Sequence, residues 1–307
     1  MSTPVLSLPG AVVAVTGGAR GIGRATAAAF LRAGARVAIG DVDAELAERT
    51  ARELGADVVA LDLDVTDRAS FGAFLERTEQ ALGPVDVLVN NAGIMPLGPF
   101  LEESDAAATR QVDINLHGVM LGMKLALPGM RTRGRGHIVN LASTAGKAGI
   151  PGGATYSATK HAVVGLSEAV AGELRGEPVR VSIILPVLVD TELTAGVSAA
   201  RGMKTQSPEN VADAVLDVVR SGRFEAFVPR SVGTINRVMA VLPRAGRDAL
   251  ARAFRADQVL SRADASRRRA YEERAARSEP ALAPPPGDPS EGGGSSEADG
   301  RLLETAR

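Results

Sequence analysis

The 307-residue chain has no cysteine, which excludes disulfides and thiolate metal sites. Its three histidines, His117, His137 and His161, lack metal-ligand spacing, so no metal is expected. Aromatic residues make up only 3% against 45% hydrophobic residues. With Gly and Ala plentiful, that composition suits helices packed closely on β-branched strands. Long apolar runs are also missing. The longest, Ile183 to Val189, is interrupted by Pro186 and is far too short to span a bilayer. The opening segment, Met1 to Gly10, has neither a basic n-region nor an apolar h-region, so it does not read as a signal peptide. A cytoplasmic protein is the expectation. Charge is nearly balanced at −1 but unevenly spread. Residues 230–277 carry twelve Arg against five acids, and residues 278–307 carry two Arg against six acids. Nothing in the main body points to nucleic-acid binding.

Short β-branched runs alternate with longer helical patterns. Strands are expected at Ala11–Thr16, Arg36–Gly40, Val58–Leu63, Val85–Asn90, His137–Leu141, Val179–Leu185 and Glu225–Val228. Helices are expected at Gly21–Ala33, Ala44–Leu54, Arg68–Leu82, Ser104–Arg131, Thr155–Leu174 and Pro208–Ser221. This alternation implies one doubly wound α/β domain, a seven-stranded parallel sheet with helices on both faces. It occupies residues 1–233. Residues 234–277 show helical periodicity with many arginines and form a basic extension. Residues 278–307, with Pro284-Pro285-Pro286 and Gly292-Gly293-Gly294, read as a disordered tail.

Three features carry chemistry. Tyr156 and Lys160 stand four residues apart on one helix face, so an ammonium sits beside a phenol and should lower its pKa from the usual value of about 10. A phenol tuned in that way exchanges protons near neutral pH. Thr16-Gly17-Gly18-Ala19-Arg20-Gly21-Ile22-Gly23 lies between the first strand and first helix, where a pyrophosphate can approach backbone N–H groups. Asp41 ends the second strand, where a carboxylate accepts hydrogen bonds from the adenosine ribose and repels a 2′-phosphate. It argues for NAD over NADP. Arg20 is the opposing signal, since a base in that turn can serve a 2′-phosphate.

With these pieces the chain resembles the short-chain dehydrogenase/reductase family over roughly Leu8 to Pro229. Thr16 to Gly23 matches the family's T-G-x-x-x-G-x-G. Asp64-Val65 matches its adenine-contacting acid and neighbour, and Asn90-Asn91-Ala92-Gly93 its N-N-A-G. Asn115, Ser143, Tyr156 and Lys160 match its catalytic set. The resemblance implies a Rossmann-type NAD(P)-binding oxidoreductase. It places Thr16, Gly17, Gly21, Ile22, Gly23, Asp41, Asp64, Val65, Asn91, Ala92 and Gly93 on the cofactor, with Tyr156, Lys160, Pro186, Val189 and Thr191. Tyr156 is then the general base in oxidation and the acid in reduction. Lys160 also holds the nicotinamide ribose, Ser143 binds the substrate oxygen, and Asn115 holds a water linking Lys160 to solvent. One departure is Pro186-Val187, where the family usually has Pro-Gly, so the loop there is expected to run differently.

Residues Glu192–Ser207, with Gly196 and Gly202, read as a mobile lid over the site. Its apolar members Leu193, Val197 and Met203, with Ile94, Met95, Leu97 and Ile150, suit a lipophilic secondary alcohol or ketone of steroid, retinoid, terpenoid or long-chain type. The alternatives are an NADPH-dependent 3-oxoacyl-type ketoreductase and a nucleotide-binding regulator without turnover. The 234–277 extension is expected to pack on the protein, with contact to an anionic membrane surface as the lesser reading. Family resemblance also implies a homodimer or homotetramer built on Ser104–Arg131 and Thr155–Leu174.

Overall fold

The strands alternate small and β-branched residues that are buried on both sides, and this decides the architecture. The computed structural model describes residues 6–277; the tail expected at 278–307 lies outside the described residues. The strands are β1 (Val12–Thr16), β2 (Arg36–Asp41), β3 (Val58–Asp62), β4 (Val87–Asn90), β5 (Gly136–Leu141), β6 (Val179–Pro186) and β7 (Glu225–Val228). All pair in parallel in one sheet, in the order β3-β2-β1-β4-β5-β6-β7. The order reverses between β1 and β4, and in such sheets the crevice for ligands opens at that switch point, outside the carboxyl ends of the strands.

Helices α1 (Gly21–Arg32), α2 (Ala44–Leu54), α3 (Arg68–Leu82), α4 (Asp105–Val112), α5 (Gly118–Arg133), α6 (Ala154–Glu173) and α7 (Pro208–Ser221) connect the strands. Period-two alternation splits each strand between two cores. Val13, Val15, Val37 and Ile39 join Phe30 and Val215 on one face. Val12, Ala14, Ala38 and Leu88 join Phe71, Met123 and Val163 on the other. Between the sheet and α6, Asn90 donates to Asn140 (2.8 Å), which donates in turn to Ser167 (2.9 Å). The side-chain N–H groups of these buried amides thus find partners inside the core.

The helix expected over Ser104–Arg131 is not continuous. Ser104 caps α4 through the Ala107 N–H. A π-helical turn over Asp113–His117 then separates α4 from α5. Such a turn inserts an extra residue and rotates the side chains that follow. Here it holds Asn115 fully buried against the loop after β4. The extension beyond β7 forms α8 (Ser231–Val241), α9 (Arg244–Ala253) and α10 (Ala265–Arg277). Among the described residues no helix is long and apolar enough to cross a membrane.

Candidate active site

A crevice of about 730 Å³ opens at the carboxyl ends of the strands. Its floor is the Gly-rich turn after β1. Gly17 and Gly21 adopt positive φ values of 62° and 52°, which favour glycine. A Cβ on Gly17 would stand 2.9 Å from Ala92 Cα, and one on Gly23 would stand 2.1 Å from the Gly17 carbonyl oxygen. The turn therefore packs backbone on backbone. Thr16 fixes it from below, its hydroxyl accepting the N–H groups of Asn91 and Ala92 at 3.0 Å each. The Asn91 side chain donates to the Thr16 and Gly17 carbonyls at 2.9 and 3.0 Å. The first turn of α1 has no side-chain cap and no acidic residue, so its N–H groups are left for an anion such as a pyrophosphate. This cradle fits a dinucleotide.

Gly17, Gly21 and Ile22 line the crevice, as do Asp41, Asp64 and Val65, and Asn91, Ala92 and Gly93. Gly23 and Thr16 do not line it; they shape the turn. The Asp41 carboxylate accepts the Ala19 N–H (3.1 Å) and the Asp43 N–H (3.2 Å). Burial pushes its pKa up, and those two backbone bonds and the Arg20 charge pull it down. Arg20 is engaged rather than free. It pairs with Asp43 at 2.5 Å and with Glu192 at 3.1 Å. Both partners are carboxylates, so this end of the crevice holds acids beside its one turn arginine.

Tyr156, Lys160 and Ser143 meet at the other end, all lining the crevice. Ser143 follows β5, and its hydroxyl accepts the Ala145 N–H at 3.1 Å, capping a short 3-10 turn. The Lys160 ammonium donates to the Leu141 carbonyl at 2.8 Å and lies 5.7 Å from the centroid of the Tyr156 ring. The expected acidification of the phenol by its cationic neighbour is not what dominates. Burial pushes Tyr156 up to about 12, and a hydrogen bond with Ser143 opposes it. Burial also pushes Lys160 down to about 8. The pair shares one helix face as the spacing requires, but at this depth desolvation outweighs the attraction between ammonium and phenolate.

Asn115 does not line the crevice. Its side chain accepts the Ile94 N–H and donates to the Ile94 carbonyl, both at 2.8 Å, and donates to Thr159 at 3.2 Å. It therefore fixes the loop after β4 to α6. Pro186, Val189 and Thr191 line the crevice after β6. Val187, where glycine is usual, donates its N–H to the Val228 carbonyl at 3.0 Å. It is not among the described residues with positive φ, so valine fits this loop without strain.

The extension reaches the site. Leu260 packs with Met95, Ala145 and Tyr156. Arg268, 1% exposed, donates to the carbonyls of Leu193 (3.1 Å), Ala195 (3.2 Å) and Met95 (2.6 Å). Tyr271 lines the crevice and its oxygen accepts the Met95 N–H at 2.7 Å. Glu192 pairs with Arg274 at 2.6 Å as well as with Arg20. The segment expected as a lid is thus tied to α10. Ile235, Val238 and Val241 of α8 face outward instead. Sequence reading did not single out Arg268 or Tyr271. A usable signal existed, since the chain holds only two tyrosines and both stand at this crevice. Among the described residues no cluster of potential metal ligands is present.

The sequence model of the short chain dehydrogenase family matches residues 11–202. The chain is 40% identical over 223 residues to 2-(S)-hydroxypropyl-CoM dehydrogenase 3 of Xanthobacter autotrophicus, covering 67% of this chain and 88% of that protein. It is 40% identical over 187 residues to a 3-alpha-(or 20-beta)-hydroxysteroid dehydrogenase of Mycobacterium tuberculosis, covering 61% and 72% of the two chains. A crystal structure of a short chain dehydrogenase/reductase from Burkholderia phymatum in complex with NAD superposes with a TM-score of 0.71 at 27% identity, covering 76% of this chain and 94% of that one.

Proposed function

This chain belongs to the short-chain dehydrogenase family, and from that premise we propose that it is an NAD-dependent dehydrogenase of lipophilic secondary alcohols. It is an oxidoreductase of CH–OH groups that uses a nicotinamide cofactor. Tyr156, Lys160 and Ser143 meet in the same crevice as the Gly-rich turn and Asp41, and this supports an NAD-dependent dehydrogenase. Residues 1–233 form the catalytic domain in this reading, and 234–277 an extension of it.

Gly17, Gly21 and Ile22 would hold the pyrophosphate, with Asp41 at the adenosine ribose and Asp64 and Val65 at the adenine. Asn91 to Gly93 would lie along the cofactor, with Val189 and Thr191 at the nicotinamide. Bound there, the cofactor accepts or supplies the hydride. Ser143 orients the substrate oxygen and stabilises charge as it develops there. Tyr156 receives the hydroxyl proton in oxidation and returns it in reduction. Lys160 holds positive charge one helical turn away and so favours the ionised phenol. Asn115 acts through Ile94, fixing the loop that borders the reacting end.

Preference for NAD is supported by the acids around Asp41, and by Arg20 being held by Asp43 and Glu192 rather than left for a 2′-phosphate. The lipophilic substrate is supported by Met95, Ile150, Leu193 and Leu260 beside Tyr156. It is further supported by a steroid-acting relative. Self-association as a homodimer or homotetramer through α4–α5 and α6 belongs to the same reading. A panel of steroid, retinoid, terpenoid and aliphatic secondary alcohols, followed by NADH absorbance, tests it. Turnover is expected with apolar members and NAD. Tight NAD binding without turnover across the panel would instead favour a nucleotide-binding regulator.

A further inference from the structure

The family model ends at residue 202, so α10 lies beyond it. One face of α10 is nevertheless built into the crevice. Met95, on the loop after β4, has both backbone polar groups held by this helix. Its N–H donates to the Tyr271 oxygen (2.7 Å), and its carbonyl accepts from Arg268 (2.6 Å). Residues three apart on a helix face the same way, so one turn of α10 clamps one residue of the pocket wall. The Arg268 guanidinium also lies 5.2 Å from the centroid of the Tyr271 ring. The Tyr271 phenol is therefore fixed by a hydrogen bond at its tip and a cation at its face.

A phenol oxygen can accept and its O–H can donate at the same time. Tyr271 accepts from Met95, and no hydrogen bond in which it donates is present among the described residues. Its side chain lines the crevice, and Met95, whose N–H it accepts, packs in one cluster with Tyr156. The surrounding wall, Met95, Leu193, Val259 and Leu260, is apolar. At such a wall the O–H is available to water or to a ligand oxygen that displaces it.

We infer that Tyr271 is a substrate-contacting specificity residue whose hydroxyl donates to a second oxygen of the substrate, placed near the reacting carbinol. This rests on the dehydrogenase reading above and narrows it. The substrate is a lipophilic secondary alcohol carrying a neighbouring hydrogen-bond acceptor, such as a keto, ether or hydroxyl oxygen. A site with a positioned donor discriminates against the analogue that lacks the partner atom, because the donor is then left unpaired.

The test compares kcat/KM for a secondary alcohol bearing a neighbouring methoxy or keto oxygen with that for its methylene analogue. Full-length wild type and Tyr271→Phe are both assayed. The wild type should favour the oxygenated member by about tenfold. Tyr271→Phe should bring the ratio close to one, mostly through KM. Any disturbance of the Met95 loop strikes both substrates alike and leaves that ratio unmoved. If Tyr271→Phe does not fold, the wild-type ratio decides alone. Equal kcat/KM values in the wild type, or a preference that persists in Tyr271→Phe, would overturn the inference while leaving the dehydrogenase reading intact. Failure of the wild type to oxidise either alcohol would contradict the dehydrogenase reading itself, and this inference with it.

Discussion

Burial acts on Asp41 and Tyr156 in the same direction, toward the protonated form. For Tyr156 the consequence is directional. In the proposed mechanism oxidation needs the phenolate to take a proton, and with the pKa near 12 the ionised fraction grows about tenfold per pH unit well below that value. Reduction needs the phenol, which is present throughout. The kcat/KM for alcohol oxidation should therefore rise with a log slope near one from about pH 7. It should ease above about pH 8 as Lys160 begins to lose its own proton. Ketone reduction should stay flat over the same range, and initial rates in both directions check this. At Asp41, replacement by Ala removes the acceptor of the Ala19 and Asp43 N–H groups and the charge that repels a 2′-phosphate. Asp41→Ala should weaken NAD and raise the NADP-to-NAD ratio of kcat/KM by about tenfold or more. An unchanged ratio would overturn the ribose assignment.

Elements were largely legible because their signals are local. Short β-branched runs marked the strands, and in the structure Asp67 and Ser207 stand at the caps of α3 and α7. The Gly-rich turn was legible too, since few residue types permit its backbone. Gly23 shows how tightly it is set. A Cβ there would meet the Gly17 carbonyl oxygen, a backbone atom that cannot swing aside. Gly23→Ala should cost about 1–3 kcal/mol in stability and weaken cofactor binding about tenfold, measured by denaturant unfolding and calorimetry. The π-helical turn before α5 was not legible. A widened turn leaves no periodicity signature of its own over five residues, and Asn115 in sequence looks like any helical asparagine.

At the scale of the whole molecule, what the sequence hid was contact across distance. Met95 and Arg268 are 173 positions apart, and no local pattern joins them. The same holds for Glu192, which faces Arg20 from one side and Arg274 from the other. The depth of the Tyr156–Lys160 pair was hidden for a related reason. Helical spacing gives a shared face, whereas desolvation depends on everything that closes over that face, including Leu260 from the extension. Leu260, Tyr271 and Arg274, all far beyond β7 in the chain, are thus structural parts of the crevice.

In the proposed mechanism Tyr156 moves the substrate proton, whereas the cofactor is held mainly by the Gly-rich turn and Asp41. Tyr156→Phe, prepared as the full chain, separates these two functions. NADH formation from the best alcohol of the panel should fall about a thousandfold, while NAD affinity by calorimetry stays within about twofold of wild type. Turnover close to wild type in that variant would contradict the account.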